Sequence, residues 1–226
     1  MIIGIILPMD VLRVLPAGDS AVLVELGDKI SPQISRQVHS LAAAVEKYQL
    51  HGLGEAVPGY TTLLIHFDPL ILTMEAVTAH IGNLSAQIST DLPLATGRCV
   101  EIPVVYDGPD LLSLAEAKNL SPSELIQIHS SREYLVYMIG FTPGFAYLGE
   151  VDERIAAPRL ASPRKLVPAG SVGIAGRQTG VYPIDSPGGW QLIGQTNLRF
   201  FNPYNNQPSL LAPGDTVIFR PVEALT

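Results

Sequence analysis

Between Pro158 and Phe200 the chain carries five basic residues, Arg159, Arg164, Lys165, Arg177 and Arg199, against one acid, Asp185. Five minus one is a local charge of +4, inside a chain of 226 residues whose net charge is −7. A guanidinium is a planar fork of donors that matches a carboxylate or a phosphate with two parallel hydrogen bonds, so this segment suits an anionic ligand. For each arginine the competing reading is a surface salt bridge. Within the segment, the tract Gly170-Ser171-Val172-Gly173-Ile174-Ala175-Gly176-Arg177-Gln178-Thr179-Gly180 lets backbone amides come close to a ligand and adds polar side chains. The sole tryptophan, Trp190, follows Pro187-Gly188-Gly189 and either lines a pocket or packs in the core. Residues 140–200 hold 10 of the 20 glycines and 6 of the 19 prolines, so turns between short strands are the competing reading for each glycine.

No self-contained acid–base machine accompanies these groups. The spacing and lysine of a Walker A loop are absent, and Gly170-Ser171-Val172-Gly173 lacks the residue that a nucleophile elbow places between glycine and serine. All five histidines (His39, His51, His66, His80 and His129) precede residue 140. A Ser-His-Asp triad inside the block is therefore excluded, and one using His129 rests on geometry alone. His39 and His80 fall off the apolar faces of their helices and read as solvated. Cys99 reads as a small buried hydrophobe. One cysteine makes neither an internal disulfide nor a zinc site of cysteine pairs, so no metal is expected.

The elements that must position the block follow from periodicity. Val11–Leu15 and Ala21–Leu26 read as strands around a Pro16-Ala17-Gly18-Asp19 turn. Ser31-Pro32 opens a helix with Ile34, Val38, Leu41, Val45 and Tyr48 on one face. Strands near Glu55–Val57 and Thr61–Phe67 flank Pro58-Gly59, and Thr73 caps a helix with Met74, Val77, Ile81, Leu84 and Ile88 on one face. Ser89–Arg98 lacks periodicity and reads as a linker. Beyond it, Val100, Ile102 and Val104 alternate as a strand, Asp110–Ala117 is a short helix, and Ser121-Pro122-Ser123-Glu124 is a capping box opening another. From the strand Glu133–Ile139 onward, short apolar runs punctuated by Gly and Pro indicate a β-barrel or sandwich.

The fold class is thus α+β. A small α/β domain, residues 1–90, has a ββα-ββα sheet with both helices on one face. A β domain, residues 91–226, carries the Gly/Pro-rich block. A hydrophobic content of 47% excludes disorder, and the acidic balance excludes general affinity for nucleic acid or anionic membrane. The apolar run Ile2 to Leu7 is far short of the roughly 20 residues of a membrane span, and no Lys or Arg precedes Arg13 as a signal peptide requires. It reads as a first strand or a mis-assigned start, and the protein as soluble and cytoplasmic.

The segments GFTPGFAYLG, PRLASPRKLVPAGSVGIAG, QTGVYP and SPGGWQLIGQT, with LPAGDSAVLVELGD, PGYTTLLIHFDP and IPVVYDGPDL upstream, resemble the 5-oxoprolinase B-subunit family, also described as the allophanate hydrolase subunit 1 or kinase-inhibitor KipI family. The resemblance runs from about Val11 to Phe219. Ala146 stands where the family often has proline, and Gln195 where it often has arginine or histidine. The resemblance implies a C-terminal cyclophilin-like β-barrel, the C and A subunits as partners, and the opening of 5-oxo-L-proline to L-glutamate with ATP hydrolysis. It implies ATP as cofactor, with or without Mg2+, and leaves open which of the subunits holds it. For that chemistry Arg159 and Arg164 would hold a carboxylate or phosphate, and Gln178, Thr179 and Tyr182 would hydrogen-bond the small-molecule substrate. Trp190 would serve as a flat wall, with Gly144, Gly170, Gly188 and Gly189 shaping the pocket. Three other readings stay open: inhibition of a sporulation histidine kinase, a carboxyltransferase-type protein acting on urea or allophanate, and, from the barrel alone, prolyl isomerisation.

Overall fold

The structure is a computed structural model, and it describes residues 5–7, 12–87 and 97–225. The chain divides into two compact units, Met1–Leu94 and Ala95–Thr226. Most of the expected linker, residues 89–96, and Ile88 of the second apolar face lie outside the described residues. Among the described residues no helix is long and apolar enough to cross a membrane.

The first unit contains β1 (Ile5–Leu7), β2 (Leu12–Pro16), β3 (Ala21–Glu25), α1 (Pro32–Lys47), β4 (Leu53–Pro58), β5 (Thr62–Phe67) and α2 (Met74–Ser85). The strands form an antiparallel sheet in the order β1-β2-β3-β5-β4. Both helices start where side-chain caps satisfy end amides: Ser31 Oγ accepts from Ile34 N and Thr73 Oγ1 from Ala76 N. Val38, Leu41 and Val45 of α1 and Val77, Ile81 and Leu84 of α2 enter one cluster with alternate strand residues, among them Val22, Val24, Leu63 and Ile65. Both helices thereby cover the same face of the sheet.

The second unit opens with β6 (Cys99–Val104), α3 (Leu111–Ala117), α4 (Pro122–Ser130), β7 (Glu133–Ile139) and β8 (Ala146–Gly149). It continues with β9 (Arg164–Val167), β10 (Ser171–Ala175), β11 (Gln178–Val181), β12 (Ser186–Gly188), β13 (Gln191–Gln195) and β14 (Thr216–Pro221). Seven strands form one sheet in the order β13-β10-β11-β8-β7-β14-β6, with β14 and β6 parallel. Val105, just past β6, exchanges two 2.9 Å backbone hydrogen bonds with Gln195 at the end of β13, which brings the two edges of the sheet together. The result is a nearly closed barrel, an arrangement that leaves little unpaired edge. Strands β9 and β12 pair separately as a two-stranded ribbon.

The barrel core takes alternate residues such as Val136, Leu148, Val172, Ile174, Ile193 and Phe219 together with Leu111, Leu114, Leu125 and Ile128 from the helices. Parity along β6 corrects one expectation. Ile102 and Val104 face the core, so Cys99, three positions before Ile102, points outward and is exposed rather than buried.

Candidate functional site

The Gly/Pro-rich block folds into β8 to β13 and the loops between them, and its aromatic residues gather into one cluster. Phe145 meets Trp190 edge to face at 5.3 Å between ring centroids and Tyr182 at 5.4 Å; Tyr147 lies 4.9 Å from Phe145. Trp190 and Tyr182 are 4% and 1% exposed, so both act as core packing rather than as open pocket walls. Tyr147 is only half-buried, and Phe141, at φ +69 in the Gly140–Phe145 loop, projects from the cluster into solvent. Burial pushes the Tyr147 and Tyr182 phenols up, and the Arg159 guanidinium pulls against it at both. Arg159 is exposed beside these rings. It makes no ion pair among the described residues, and its loop is pinned by the 2.7 Å bond from Leu160 N to Gly189 O.

The other basic residues differ. Arg164 Nη2 donates to Asp110 Oδ1 at 2.6 Å and Nη1 to the Trp190 carbonyl at 3.2 Å. The other Asp110 oxygen accepts from Leu192 N at 2.6 Å. Arg164 thus ties the start of α3 to β13 and to the aromatic cluster, and its guanidinium is already largely committed. Arg177 is held by Glu150 at 2.7 Å and Glu153 at 2.6 Å. The local excess of positive charge is consequently smaller in space than along the chain, because Asp110, Glu150 and Glu153 all precede Pro158 in the sequence.

The glycine tract also departs from expectation. Gly170 to Gly180 is the β10–β11 hairpin, whose residues 171–175 are all buried and whose amides serve strand pairing. It is no cradle for phosphates. Gly170, at φ +83, sits where an added Cβ would strike the Thr196 carbonyl, and at Gly144, also at φ +83, a Cβ would come within 2.8 Å of Phe201. Gly188 gives way to the Tyr182 ring, whereas Gly189 meets only ordinary contacts with Pro163 and Arg159. Three of the four expected pocket glycines are therefore required by the protein's own packing.

Thr179, expected to face a substrate, is instead fully buried and belongs to a relay through the barrel interior. Its hydroxyl donates to the Gly173 carbonyl at 3.0 Å and lies 2.8 Å from His129 Nε2; His129 Nδ1 lies 2.8 Å from the Tyr106 hydroxyl. A carbonyl only accepts, so the Thr179 proton goes to Gly173, His129 Nε2–H donates to Thr179, and Tyr106 O–H donates to Nδ1. Burial lowers the His129 pKa from 6.5 to about 3, so the imidazole is neutral, and burial pushes the Tyr106 phenol up. Sequence reasoning leaves His129 and Tyr106 outside the site. Their local sequence carries no signal of the relay, since Thr179 stands between Gln178 and Gly180, His129 between Ile128 and Ser130, and Tyr106 between Val105 and Asp107. Gln178 is half-buried at the start of β11, and Gln195 donates to Asp107 at 2.8 Å.

The exposed Arg159 side chain lies near Tyr182, the half-buried Tyr147 and the small Gly189, and the exposed Phe141 ring packs on Phe145 and Tyr182. Together they can hold an anionic group against an aromatic wall, as one side of a site.

Residues 12–211 match the carboxyltransferase domain family, subdomains C and D. The chain is 46% identical over 215 residues to the 5-oxoprolinase B subunit of Bacillus subtilis, with 89% of each chain covered. It is 42% identical over 209 residues to the protein of the same name from Escherichia coli, covering 90% of this chain and 93% of that one. The crystal structure of TTHA0988 matches 91% of this chain at 38% identity with a TM-score of 0.79; the matched part is 40% of that longer chain. With its motifs, its length and its barrel all in agreement, the chain belongs to the 5-oxoprolinase B-subunit family of carboxyltransferase-domain proteins.

Proposed function

We propose that this chain is the B subunit of an ATP-dependent 5-oxoprolinase, which opens 5-oxo-L-proline to L-glutamate with hydrolysis of ATP to ADP and phosphate and works only together with the A and C subunits. The observation that carries the reading is identity of 46% and 42%, across nearly the whole chain, to two proteins named as this component. The residues fit a share of such a site. The substrate is a carboxylate attached to a resonance-stabilised lactam, and opening the ring develops negative charge on the lactam oxygen. A preorganised cation beside that charge stabilises it most where water is excluded. Arg159 supplies the cation, and the neighbouring rings supply the dry wall. The paired hairpin amides do not fit a triphosphate, so nucleotide binding is assigned to a partner.

The second unit holds one imidazole, His129, and it is neutral and bonded at both nitrogens. The acid–base groups therefore come from a partner, in a site completed on docking. Purified alone, the chain should give no ATP-dependent glutamate from 5-oxoproline; with the A and C subunits added, turnover should appear. Turnover by the partner-free chain would refute the shared site. Absence of turnover with every component present would overturn the assignment in favour of a regulator of a histidine kinase.

A further inference from the structure

A second basic group lies on the second unit and shares no lining residue with the aromatic cluster. Arg98, Arg199, Asn202, Asn205, Gln207 and Ser209 are among the residues that surround a cavity of about 210 Å³. Its two guanidiniums are anchored from behind. Arg98 Nη2 donates to Asp215 Oδ2 at 2.8 Å and to the Leu210 carbonyl at 2.7 Å, and Arg199 Nε donates to the Phe201 carbonyl at 3.0 Å. Asp215 also accepts from the backbone amides of Arg98 and Ala212. Burial opposes its charge, but these bonds outweigh burial and keep the carboxyl below its ordinary range.

The far wall is equally fixed. Asn202 N donates to the Pro208 carbonyl at 2.7 Å, Leu210 N to the Phe200 carbonyl at 2.8 Å, and Asn202 Nδ2 to Asn205 Oδ1 at 3.0 Å. Beyond these bonds the lining residues offer the remaining donors of both arginines, the Asn205 and Gln207 amides and the Ser209 hydroxyl. Among the described residues no carboxylate lines the cavity. Arg98 and Arg199 against Asp215 leave one net positive charge, in a chain of net charge −7.

We infer that this cavity binds a tetrahedral oxyanion, a phosphate group, between Arg98 and Arg199. A planar carboxylate saturates one guanidinium fork, whereas a phosphoryl group offers enough oxygens for the Arg199 fork, the donors of Arg98 left over from Asp215 and Leu210, and the amide and hydroxyl donors beside them. Size points the same way. The cavity is smaller than the roughly 300–1,000 Å³ of clefts that enclose drug-sized ligands, so it takes a phosphate or the head of a phosphate ester rather than a whole nucleotide. The inference does not depend on the 5-oxoprolinase reading.

The test is titration of the isotopically labelled full chain with inorganic phosphate, followed by amide shifts in NMR, with methyl phosphate in a second arm. Saturable shifts at Asn205, Gln207 and Ser209 are expected, with affinity falling about tenfold or more in Arg199→Gln, which loses a charged donor. Among the described residues Arg199 bonds only to a carbonyl two residues away, and it is exposed, so its variant should keep the wild-type unfolding midpoint. Arg98 is avoided because Asp215 depends on it. Equal binding of methyl phosphate identifies an ester head-group site, and binding of inorganic phosphate alone identifies a free-phosphate site. Absence of saturable shifts up to tens of millimolar phosphate, shifts confined to the surroundings of Arg159, or unchanged affinity in Arg199→Gln would each overturn the inference.

Discussion

Replacing His129 with phenylalanine should remove an acid sensitivity from the second unit, and the size of the effect follows from the relay. His129 is fully buried, with a pKa lowered from 6.5 to about 3 by burial. In the unfolded chain it takes up a proton below about pH 6.5, while in the folded chain it does not until about pH 3. The unfolded state therefore binds more protons throughout that window, so stability rises with pH there and is lost as pH falls. At 1.36 kcal/mol per pH unit, a drop from pH 7 to pH 5 costs the wild type about 2 kcal/mol from this residue alone. Phenylalanine fills the ring position between Phe219, 4.6 Å away, and Tyr134, 5.4 Å away. It strands the Tyr106 hydroxyl, while Thr179 keeps Gly173, so the variant should be about 1–3 kcal/mol less stable at pH 7. At pH 5 that gap should shrink by about 2 kcal/mol, leaving the two proteins close to equal. Urea unfolding followed by the fluorescence of Trp190, the sole tryptophan and a buried residue of this unit, reads the difference directly. The carboxylates are common to both proteins and cancel. Parallel loss of stability in wild type and His129→Phe between pH 7 and pH 5 would refute the neutral, doubly bonded imidazole.

Arg159 and Arg164 should separate by assay. Arg159→Gln should leave the unfolding midpoint unchanged, because the side chain is exposed and has no ion pair among the described residues, yet lower kcat/KM of the assembled complex by about tenfold or more through loss of a charged contact. Arg164→Ala should instead lower stability by about 1–2 kcal/mol, a figure below that for a fully buried pair because the Arg164 and Asp110 side chains keep 27% and 12% of their exposure; the midpoint in urea is the measurement.

Local rules account for most of the elements. The helix at Pro32–Lys47 follows from a Ser-Pro start and apolar residues at spacings of three and four, and the capping box at Ser121 and Glu124 forms with both reciprocal bonds. Near-closure of the barrel is a different kind of fact. It depends on Val105 meeting Gln195 and on β14 inserting between β6 and β7, pairings between distant segments that no window of sequence contains. Cys99 shows the intermediate case: its strand is legible, but which parity faces the core depends on the sheet it joins.

The site is legible in composition and illegible in connection. Counting charge from Pro158 to Phe200 assumes that a cation's partner is near it in sequence. Asp110, however, lies 54 residues from Arg164, and Glu153 lies 24 residues from Arg177. The same assumption places Thr179 at a substrate and His129 outside the block, although the barrel brings them to 2.8 Å across 50 residues. Chemical type alone cannot separate a buried hydroxyl that satisfies a carbonyl from one that awaits a ligand; only the identity of its neighbours does. Arg159 passes that test in the opposite direction. Its sequence context is no more distinctive than that of Arg164, yet the fold leaves it exposed beside Tyr147 and Tyr182, with no carboxylate among the described residues to neutralise it. The availability of that charge, rather than the abundance of charge around it, is what the proposed function rests on at Arg159.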